Sequence, residues 1–427
     1  MFGAGRGRRC EVEVDQPCEG YNVVTFSAMT FLCISCYFKG SDFIRASKAA
    51  GNTIYLLTME KLLNEPWPRE CIDEFFFMEK DENTPENIGN LADGLAWLMR
   101  DRRVDRIVAL DDFDVEKAAY LREEFRIPGM GQTTARFFRD KLAMRVQARD
   151  QGVPVPAFSS LFNNEELTAF ANSIEYPCLV KPRGEASATG IRKVHSAEEL
   201  WQHVHSLGEE RHHYLVEQFR PGDVYHADAI SVDGEVVFCQ VSRYLSTPFE
   251  VAHGGGIFRS VSVPYDEEDA VRLRALTTDV MRAFGMRFSA SHTEFIKLPS
   301  GEFVFLETAS RVGGAHLAEM VEAATGVSLW AEWARLETAM AHGVEYHPPG
   351  RRYGQAGIVV SLSRFEHPDT SGFSDPEIVW RMNKKQHIGL IVASPSAPRI
   401  RELLDDYASR IARDFHAAAP APPKSTH

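Results

Sequence analysis

The chain has 427 residues, which is enough for two or three domains that each bury a core. Its hydrophobic content of 44% and charged content of 25% are typical of a folded globular protein. The net charge is −13 and the longest basic run is the short segment at residues 6–9, which argues against a nucleic-acid-binding surface, because neutralising phosphates needs clustered Lys and Arg.

The first forty residues show no targeting or membrane signal. Residues 22–38 are fairly apolar, but they contain Ser, Thr and Cys and are too short for a clean membrane span. A signal peptide is not expected, since the basic start is followed by an acidic run at residues 11–15. The seven cysteines are scattered, which predicts reduced thiols. We therefore expect a cytoplasmic protein with no membrane partner.

The N-terminal third alternates between strand-like and helix-like runs. Residues 1–20 are rich in Gly and Arg and then acidic, and we expect them to be disordered. The later pattern predicts strands at residues 23–26, 54–58, 75–77 and 107–110, and helices at 41–50, 86–101 and 115–125. This alternation predicts an α/β domain over residues 21–133, with an open parallel sheet and helices on both faces.

From residue 134 onward the pattern becomes α+β. A helix-like stretch carries Lys141, and a short apolar strand delivers Lys181 to a loop of small residues at 183–190. Helices are expected near residues 196–207, 266–284, 315–324, 327–341 and 399–413, with antiparallel strands between 213 and 262 and further strands at 357–360 and 388–393. Pro348 and Pro349 mark a boundary, which predicts a C-terminal subdomain over 346–416 and a disordered tail over 417–427.

A predicted hairpin carries the strongest chemical signal. Two apolar runs flank Ser300-Gly301, which is typical of a two-residue loop, and counting outward places Glu294 opposite Glu307. Facing carboxylates roughly 5 Å apart destabilise a sheet unless a cation lies between them. The pair therefore offers hard oxygen ligands for Mg²⁺. The simpler alternative is a solvated face with two surface glutamates. The period-2 rule places three further residues on this face, namely His292, Ala309 and Arg311.

These motifs, taken in order, resemble the ATP-grasp superfamily over about residues 135–340. The shared order is two lysines, a flexible loop, a hinge glutamate, two metal-binding carboxylates and an arginine. The resemblance implies an ATP-grasp domain over 134–345, in which two lobes clamp ATP and the small lobe covers about 155–220. It is closest in layout to the L-amino acid ligase branch, whose N-terminal domain helps to hold the carboxylate substrate.

The resemblance assigns nucleotide-binding residues. Lys141 and Lys181 would contact the α- and β-phosphates, with Lys181 also counted as catalytic, although a single lysine on a helix is usually solvated. The hinge residue Glu217, together with Phe219, would contact the adenine, and Asp223 would contact the ribose. The loop over the β- and γ-phosphates contributes Gly184, Ser187, Thr189 and Gly190.

The resemblance also assigns the metal and substrate sites. Glu294 and Glu307 would bridge one or two Mg²⁺ ions, for which Mn²⁺ can substitute, to the β- and γ-phosphates. Many relatives have Asn where this chain has Ala309, so one metal ligand is lacking. Arg311 would stabilise the transferred phosphoryl group; its alternative is a structural arginine paired with an acid. Candidate substrate contacts are His253, Gly255, His292 and Arg311, with residues 253–256 expected as a loop, and His292 equally explained by packing.

The leading hypothesis is an ATP-dependent ligase that activates a carboxylate as an acyl phosphate and joins it to an amine, with amino acids as the expected substrates. One alternative is a carboxylase of the biotin-carboxylase type. A second alternative is a catalytically silent nucleotide-binding regulatory protein, which Ala309 would suit. A homodimer is expected from the family alone.

Overall fold

The computed structural model describes residues 28–80, 83–186 and 188–418, apart from the side chains of residues 252 and 253. The predicted disordered segment 1–20, the predicted strand at 23–26 and residues 419–427 of the predicted tail lie outside this part of the chain. The described residues form three sheets, of four, eight and four strands.

The first sheet is parallel, with strand order β3-β2-β1-β4. Its elements are β1 (Thr30–Ser35), β2 (Thr53–Met59), β3 (Glu74–Met78), β4 (Arg106–Ala109), α1 (Ser41–Ala49), α2 (Pro85–Leu98) and α3 (Val115–Glu124). Alternate β1 residues belong to two different cores: Phe31 packs with α1, and Leu32 packs with α2 and α3. The expected open parallel sheet with helices on both faces is confirmed, although no strand was predicted at β1 itself.

The second sheet forms a small lobe with strand order β5-β8-β6-β7. Helices α4 (Gln132–Phe137) and α5 (Lys141–Asp150) precede the lobe. Its strands are β5 (Phe158–Ser160), β6 (Cys178–Pro182), β7 (Arg192–Val194) and β8 (Tyr214–Gln218), and its helices are α6 (Asn164–Ser173) and α7 (Ala197–Leu207). Cys178, Val180 and Val216 pack against the two helices of the lobe. Because side chains alternate along a strand, Lys181 and Glu217 lie on the opposite face.

The third sheet is antiparallel, with strand order β13-β12-β9-β10-β11-β14-β16-β15. Its strands are β9 (Asp223–Val232), β10 (Glu235–Tyr244), β11 (Phe258–Ser262), β12 (Phe288–Lys297), β13 (Phe303–Ala309), β14 (Gln355–Leu362), β15 (Ile378–Arg381) and β16 (His387–Ser394). Its helices are α8 (Pro248–Gly254), α9 (Glu268–Ala283), α10 (Leu317–Thr325), α11 (Leu329–His342) and α12 (Ala397–Asp414). The α+β segment after residue 346 therefore adds its strands to the large sheet, so the sheet is continuous across the predicted boundary.

The β12–β13 hairpin differs from its prediction in two compensating ways. Leu298 and Glu302 close the loop, and Gly301 at φ 86 makes it a three-residue loop instead of the predicted two-residue loop. That change alone would move Glu294 out of register with Glu307. A β-bulge follows, since Phe295 pairs with Phe305 while Glu294 pairs with Glu307. The bulge restores the predicted pairing of the two glutamates.

The third sheet and its helices are called the large lobe below. The N-terminal domain packs against α11 of this lobe. Arg106 of β4 donates from Nε to Glu337 of α11 at 2.9 Å, and Asn52 donates to Thr338 at 2.8 Å. The rings of Phe43 and Trp333 meet in the same core. No helix within the described ranges is long and apolar enough to cross a membrane.

Candidate active site

Two buried cations share one carboxylate on the open face of the small lobe. Arg145 donates from Nε to Glu217 Oε2 at 2.9 Å, and Lys181 Nζ contacts Glu217 Oε1. Burial alone would raise the pKa of Glu217, but the two cations outweigh it and lower the pKa. Burial, with a contribution from Arg145, outweighs Glu217 and lowers the pKa of Lys181 to about 8. This cluster has an excess of positive charge, which suits a phosphate ligand.

The loop after β6 is tied to the start of α5. Asp140 caps this helix and accepts a hydrogen bond from Arg183 Nε at 2.9 Å. Lys141, the first residue of α5, donates to the carbonyl of Glu185 at 2.5 Å. These contacts bring the predicted phosphate-binding loop and Lys141 together at one end of the cluster.

The two predicted metal ligands face each other on adjacent strands. Glu294 is 7% exposed, whereas Glu307 is half-buried and lies 3.3 Å from Lys141 Nζ through Oε2. Burial alone would raise the pKa of Glu307, but Lys141 and Lys181 outweigh it and lower the pKa. The structure therefore brings the carboxylate pair and both lysines into one region.

A buried polar network lies behind Glu294. Tyr244 donates to Glu294 Oε1 at 2.7 Å, and His292 Nε2 lies 3.4 Å from the same oxygen. Asp228 accepts from Nδ1 of His292 at 2.8 Å and from Nδ1 of His226 at 2.7 Å. Burial alone would lower the pKa of His292, but Asp228 and Glu294 outweigh it and raise the pKa to about 10. His292 is therefore a partner of a predicted metal ligand.

Arg311 connects the hairpin to the N-terminal domain. Its Nη2 donates to Asp112, and its Nη1 donates to the carbonyl of Val312 at 2.8 Å. Burial alone would raise the pKa of Asp112, but Arg311 outweighs it and lowers the pKa to about 2. Each partner keeps one buried atom without a hydrogen bond among the described residues, namely Arg311 Nε and Asp112 Oδ1. The ion pair thus retains a donor and an acceptor.

The other predicted nucleotide-binding residues lie near the following protein groups. Phe219 lies under Lys193, whose Nζ is 3.9 Å from the ring centre, and Asp223 is exposed and 3.5 Å from Arg243. A Cβ on Gly184 would lie 3.8 Å from Arg139 Nη2. Thr189 is buried in the same loop, and Gly190 has φ 71. Ser187 lies outside the described residues.

The segment at residues 253–256 is not the expected loop. Residues 248–254 form helix α8, which starts with a capping box between Thr247 and Glu250 and ends at Gly255 with φ 62. A Cβ on Gly255 would lie 3.0 Å from that of Ala418, so this glycine packs against the C-terminal segment. Pro248 at the first position and the capping box are the sequence signals for this helix. The His253 side chain lies outside the description.

Sequence reasoning assigned no role in the site to Arg145, Asp112, Asp228 or Tyr244. The alternation of His226 and Asp228 with apolar neighbours along β9 is a usable signal, because charged residues inside an apolar strand need buried partners. Their partners come from β12 and β10, which are distant in the chain. Local patterns therefore could not identify the complete network.

The residues present fit a magnesium nucleotide. The two facing carboxylates supply the hard oxygen ligands that Mg²⁺ prefers. Among the described residues, Arg145 Nη1 is buried without a hydrogen-bond acceptor. An anionic group beside Lys181, Arg145 and Glu217 would compensate the excess positive charge of these three residues. The same group could accept a hydrogen bond from Arg145 Nη1.

Comparison with known proteins agrees with this geometry. A family model described as D-ala D-ala ligase C-terminus matches residues 148–244. The L-arginine-specific L-amino acid ligase of Bacillus subtilis is 28% identical over 235 residues, which cover 53% of this chain and 56% of that protein. The match thus spans about half the length of this relative.

The fold is also found in solved structures. The L-amino acid ligase of Bacillus licheniformis superposes with a TM-score of 0.72 at 16% identity, covering 92% of this chain and 99% of that one. The biotin carboxylase domain of the Hydrogenobacter thermophilus 2-oxoglutarate carboxylase, solved with MgADP and bicarbonate, gives 0.66 at 18% identity, covering 92% and 91%. With its three sheets and facing glutamates, the chain has the ATP-grasp fold.

Proposed function

We propose that the chain is an ATP-dependent carboxylate–amine ligase that forms an amide or peptide bond and releases ADP and phosphate. The observation that carries this proposal is the pairing of Glu294 with Glu307 next to Lys141 and the buried Lys181. A facing carboxylate pair with one member against Lys141 and close to the charge of Lys181 suits a metal–triphosphate complex better than a solvated surface. The related ligase sequence supports the same reaction.

The reaction has two steps. A carboxylate oxygen of the substrate attacks the γ-phosphorus of ATP, the bridging P–O bond to the β-phosphate breaks, and ADP leaves. The amine nitrogen then attacks the acyl carbon, the C–O bond to phosphate breaks, and the nitrogen loses a proton. Lys181 and Lys141 bind the phosphates, and Arg311 stabilises the charge that develops on the transferred group.

Bound Mg²⁺, for which Mn²⁺ can substitute, would neutralise phosphate charge during the transfer. In this proposal, Glu294 and Glu307 would hold it. Glu217 has both oxygens engaged by cations, so its part is to hold Lys181 and Arg145 beside the nucleotide. Phe219 and Asp223 would contact the adenosine part, and the loop at residues 183–190 would cover the phosphates.

Amino acids are the proposed substrates. Arg311 and Asp112 form an ion pair at the junction of two domains, with one unpartnered donor and one unpartnered acceptor. A zwitterion matches this arrangement, because its carboxylate can accept from Arg311 and its ammonium can donate to Asp112. The cytoplasm, where ATP is abundant, is the proposed location. A homodimer remains a family-based proposal, which light scattering on the purified protein tests.

The decisive experiment supplies MgATP with pairs of amino acids and carboxylic acids and measures nucleotide products, phosphate and condensed product by mass spectrometry. We expect ADP, phosphate and an amide in equal amounts. AMP with pyrophosphate would overturn the acyl-phosphate route. ATP consumption that depends on bicarbonate alone would favour a carboxylase. Tight ATP binding without turnover on any pair would favour a regulatory protein.

A further inference from the structure

The two oxygens of Glu294 have different surroundings. Oε1 accepts a hydrogen bond from Tyr244 at 2.7 Å and lies 3.4 Å from His292 Nε2. No described residue donates a hydrogen bond to Oε2. A carboxylate that is fixed through one oxygen presents the other in a single direction, which is how neighbouring hydrogen bonds orient metal ligands.

The group that donates this hydrogen bond is held rigidly. Tyr244 is 6% exposed, and its ring packs against His226 at 4.7 Å and Phe258 at 5.6 Å between ring centres. Tyr244 stands at the end of β10, while Glu294 lies in the middle of β12, with β9 between these strands. Its hydroxyl position is therefore set by ring packing within the large sheet, independently of the loops that would contact ATP.

The second donor is positioned by Asp228. His292 and His226 each lie within 2.8 Å of a different oxygen of Asp228, and His226 Nε2 is 2.7 Å from Ser260 Oγ. These residues could form a separate metal centre, because their ligand atoms lie within 4.8 Å of one another. The short contacts instead match direct hydrogen bonds. A Cβ on Gly313 would lie only 2.7 Å from Asp228 Oδ1, so the cluster is closely packed.

We propose that Tyr244, assisted by the Asp228–His292 pair, is a positioning residue that fixes Glu294 as a single-oxygen metal ligand. The inference rests on the proposed function in that it takes Glu294 to bind the nucleotide's metal ion.

The experiment measures metal binding directly. The affinity of Mn²⁺ for the protein–ADP complex is measured by electron paramagnetic resonance for the unchanged protein and for Tyr244→Phe. Loss of the hydroxyl should weaken Mn²⁺ binding about tenfold, as expected when a residue that hydrogen-bonds to a metal ligand is removed. ADP affinity measured in EDTA should be unchanged, because Tyr244 acts through the metal ligand alone.

Tyr346→Phe is the matched control. Tyr346 is 8% exposed and donates to the buried carboxylate of Glu332 at 2.8 Å, which closely reproduces the Tyr244 environment away from the site. Both variants should lose similar stability, measured by urea unfolding, but the control should keep its Mn²⁺ affinity. A general loss of packing would weaken metal binding in both.

A second comparison tests whether Tyr244 acts through Glu294. In a Glu294→Gln background, adding Tyr244→Phe should leave the residual Mn²⁺ affinity unchanged, because the affected ligand is already lost. Equal Mn²⁺ affinity of Tyr244→Phe and the unchanged protein would overturn the inference and leave the proposed function standing. Failure of the unchanged protein to bind Mn²⁺ with ADP would instead overturn the metal–nucleotide site itself.

Discussion

At the scale of single residues, the surroundings of Lys181 change the pH at which it loses its charge. Its pKa is lowered from the ordinary 10.5 to about 8 by burial and Arg145, despite the contact with Glu217. Phosphate favours the charged amine, so nucleotide binding at the proposed site should raise this pKa. The contribution of Lys181 to affinity is complete below pH 8 and declines above it, by up to about tenfold per pH unit.

We therefore predict that MgADP affinity falls about tenfold between pH 7 and pH 9. Calorimetry in buffers of different ionisation enthalpy should also detect proton uptake on binding at pH 8. Lys181→Arg should remove most of this pH dependence, since a guanidinium stays charged throughout the range. The assignment is contradicted if the unchanged protein is as insensitive to pH as the arginine variant.

The carboxylate pair gives a second prediction. Glu294→Gln and Glu307→Gln should each lower Mg²⁺-dependent turnover at least about a hundredfold, because the ligands that hold the metal ion are lost. Glu302→Gln, an exposed change on the same hairpin, is the control and should retain activity. Melting temperatures establish that each variant is folded. Near-normal activity and metal dependence of either variant at 294 or 307 would mean that the hairpin does not hold the metal.

Arg311 and Lys181 should differ in the step they affect. Lys181→Ala should weaken ATP binding outright, whereas Arg311→Ala should lower kcat more than ATP affinity, because its contacts strengthen as charge develops. Calorimetry and steady-state rates on both variants measure the difference. Removing Arg311 also takes away the ion-pair partner of the buried Asp112, at a cost of up to about 3–5 kcal/mol. Arg311→Ala is therefore compared with the double variant Arg311→Ala/Asp112→Asn. An unchanged kcat in Arg311→Ala and in the double variant would show that Arg311 has no part in catalysis.

At the scale of elements, the hairpin shows how far local sequence rules reach. Ser300-Gly301 correctly predicts a tight turn, and Glu294 does face Glu307. The rules miss the three-residue loop and the bulge, whose effects on the register cancel. The Asp228 and Tyr244 contacts were missed because they join strands that are distant in the sequence. Long amphipathic helices such as α9 and α12, by contrast, agree closely with their sequence patterns.

The entry into β9 gives a prediction at this scale. A Cβ on Gly222 would lie 2.2 Å from the carbonyl oxygen of Lys297, so Gly222→Ala should force β9 away from β12 and destabilise the fold by about 1–3 kcal/mol. Gly89→Ala is the control, since Gly89 lies in α2 with no atom within 4 Å of its Cβ position. It should stabilise the protein by about 0.5–1 kcal/mol. Urea unfolding measures the stability of both variants. If Gly222→Ala were as stable as the unchanged protein, the backbone would relieve the close approach to Lys297 at no cost.

At the scale of the whole molecule, the N-terminal domain and the large lobe share a core. Phe31 and Phe43 from the parallel sheet region pack in one cluster with Ile230 and Trp333 of the large lobe. The Arg311–Asp112 pair joins the same two parts at the candidate active site. A domain that contributes to the proposed substrate site must keep its position relative to the β12–β13 hairpin, and this shared core supplies that constraint.

The Arg106–Glu337 pair tests this coupling. The two side chains are 8% and 6% exposed, and Arg106 also donates to the carbonyl of Pro128 at 2.9 Å. Glu337→Leu should destabilise the protein by about 3–5 kcal/mol, because it leaves a buried guanidinium without a counter-charge. Adding Arg106→Met should recover most of that loss, since two apolar side chains of similar size can replace a buried ion pair.

Calorimetry distinguishes this account from one in which the domains unfold independently. With a shared core, the unchanged protein and the double variant should each unfold in one transition, and Glu337→Leu should move that whole transition to lower temperature. If Glu337→Leu shifted only a separate first transition and left a second one in place, the N-terminal domain would be an independent folding unit. The proposed substrate contacts of Asp112 would then depend on how that unit docks.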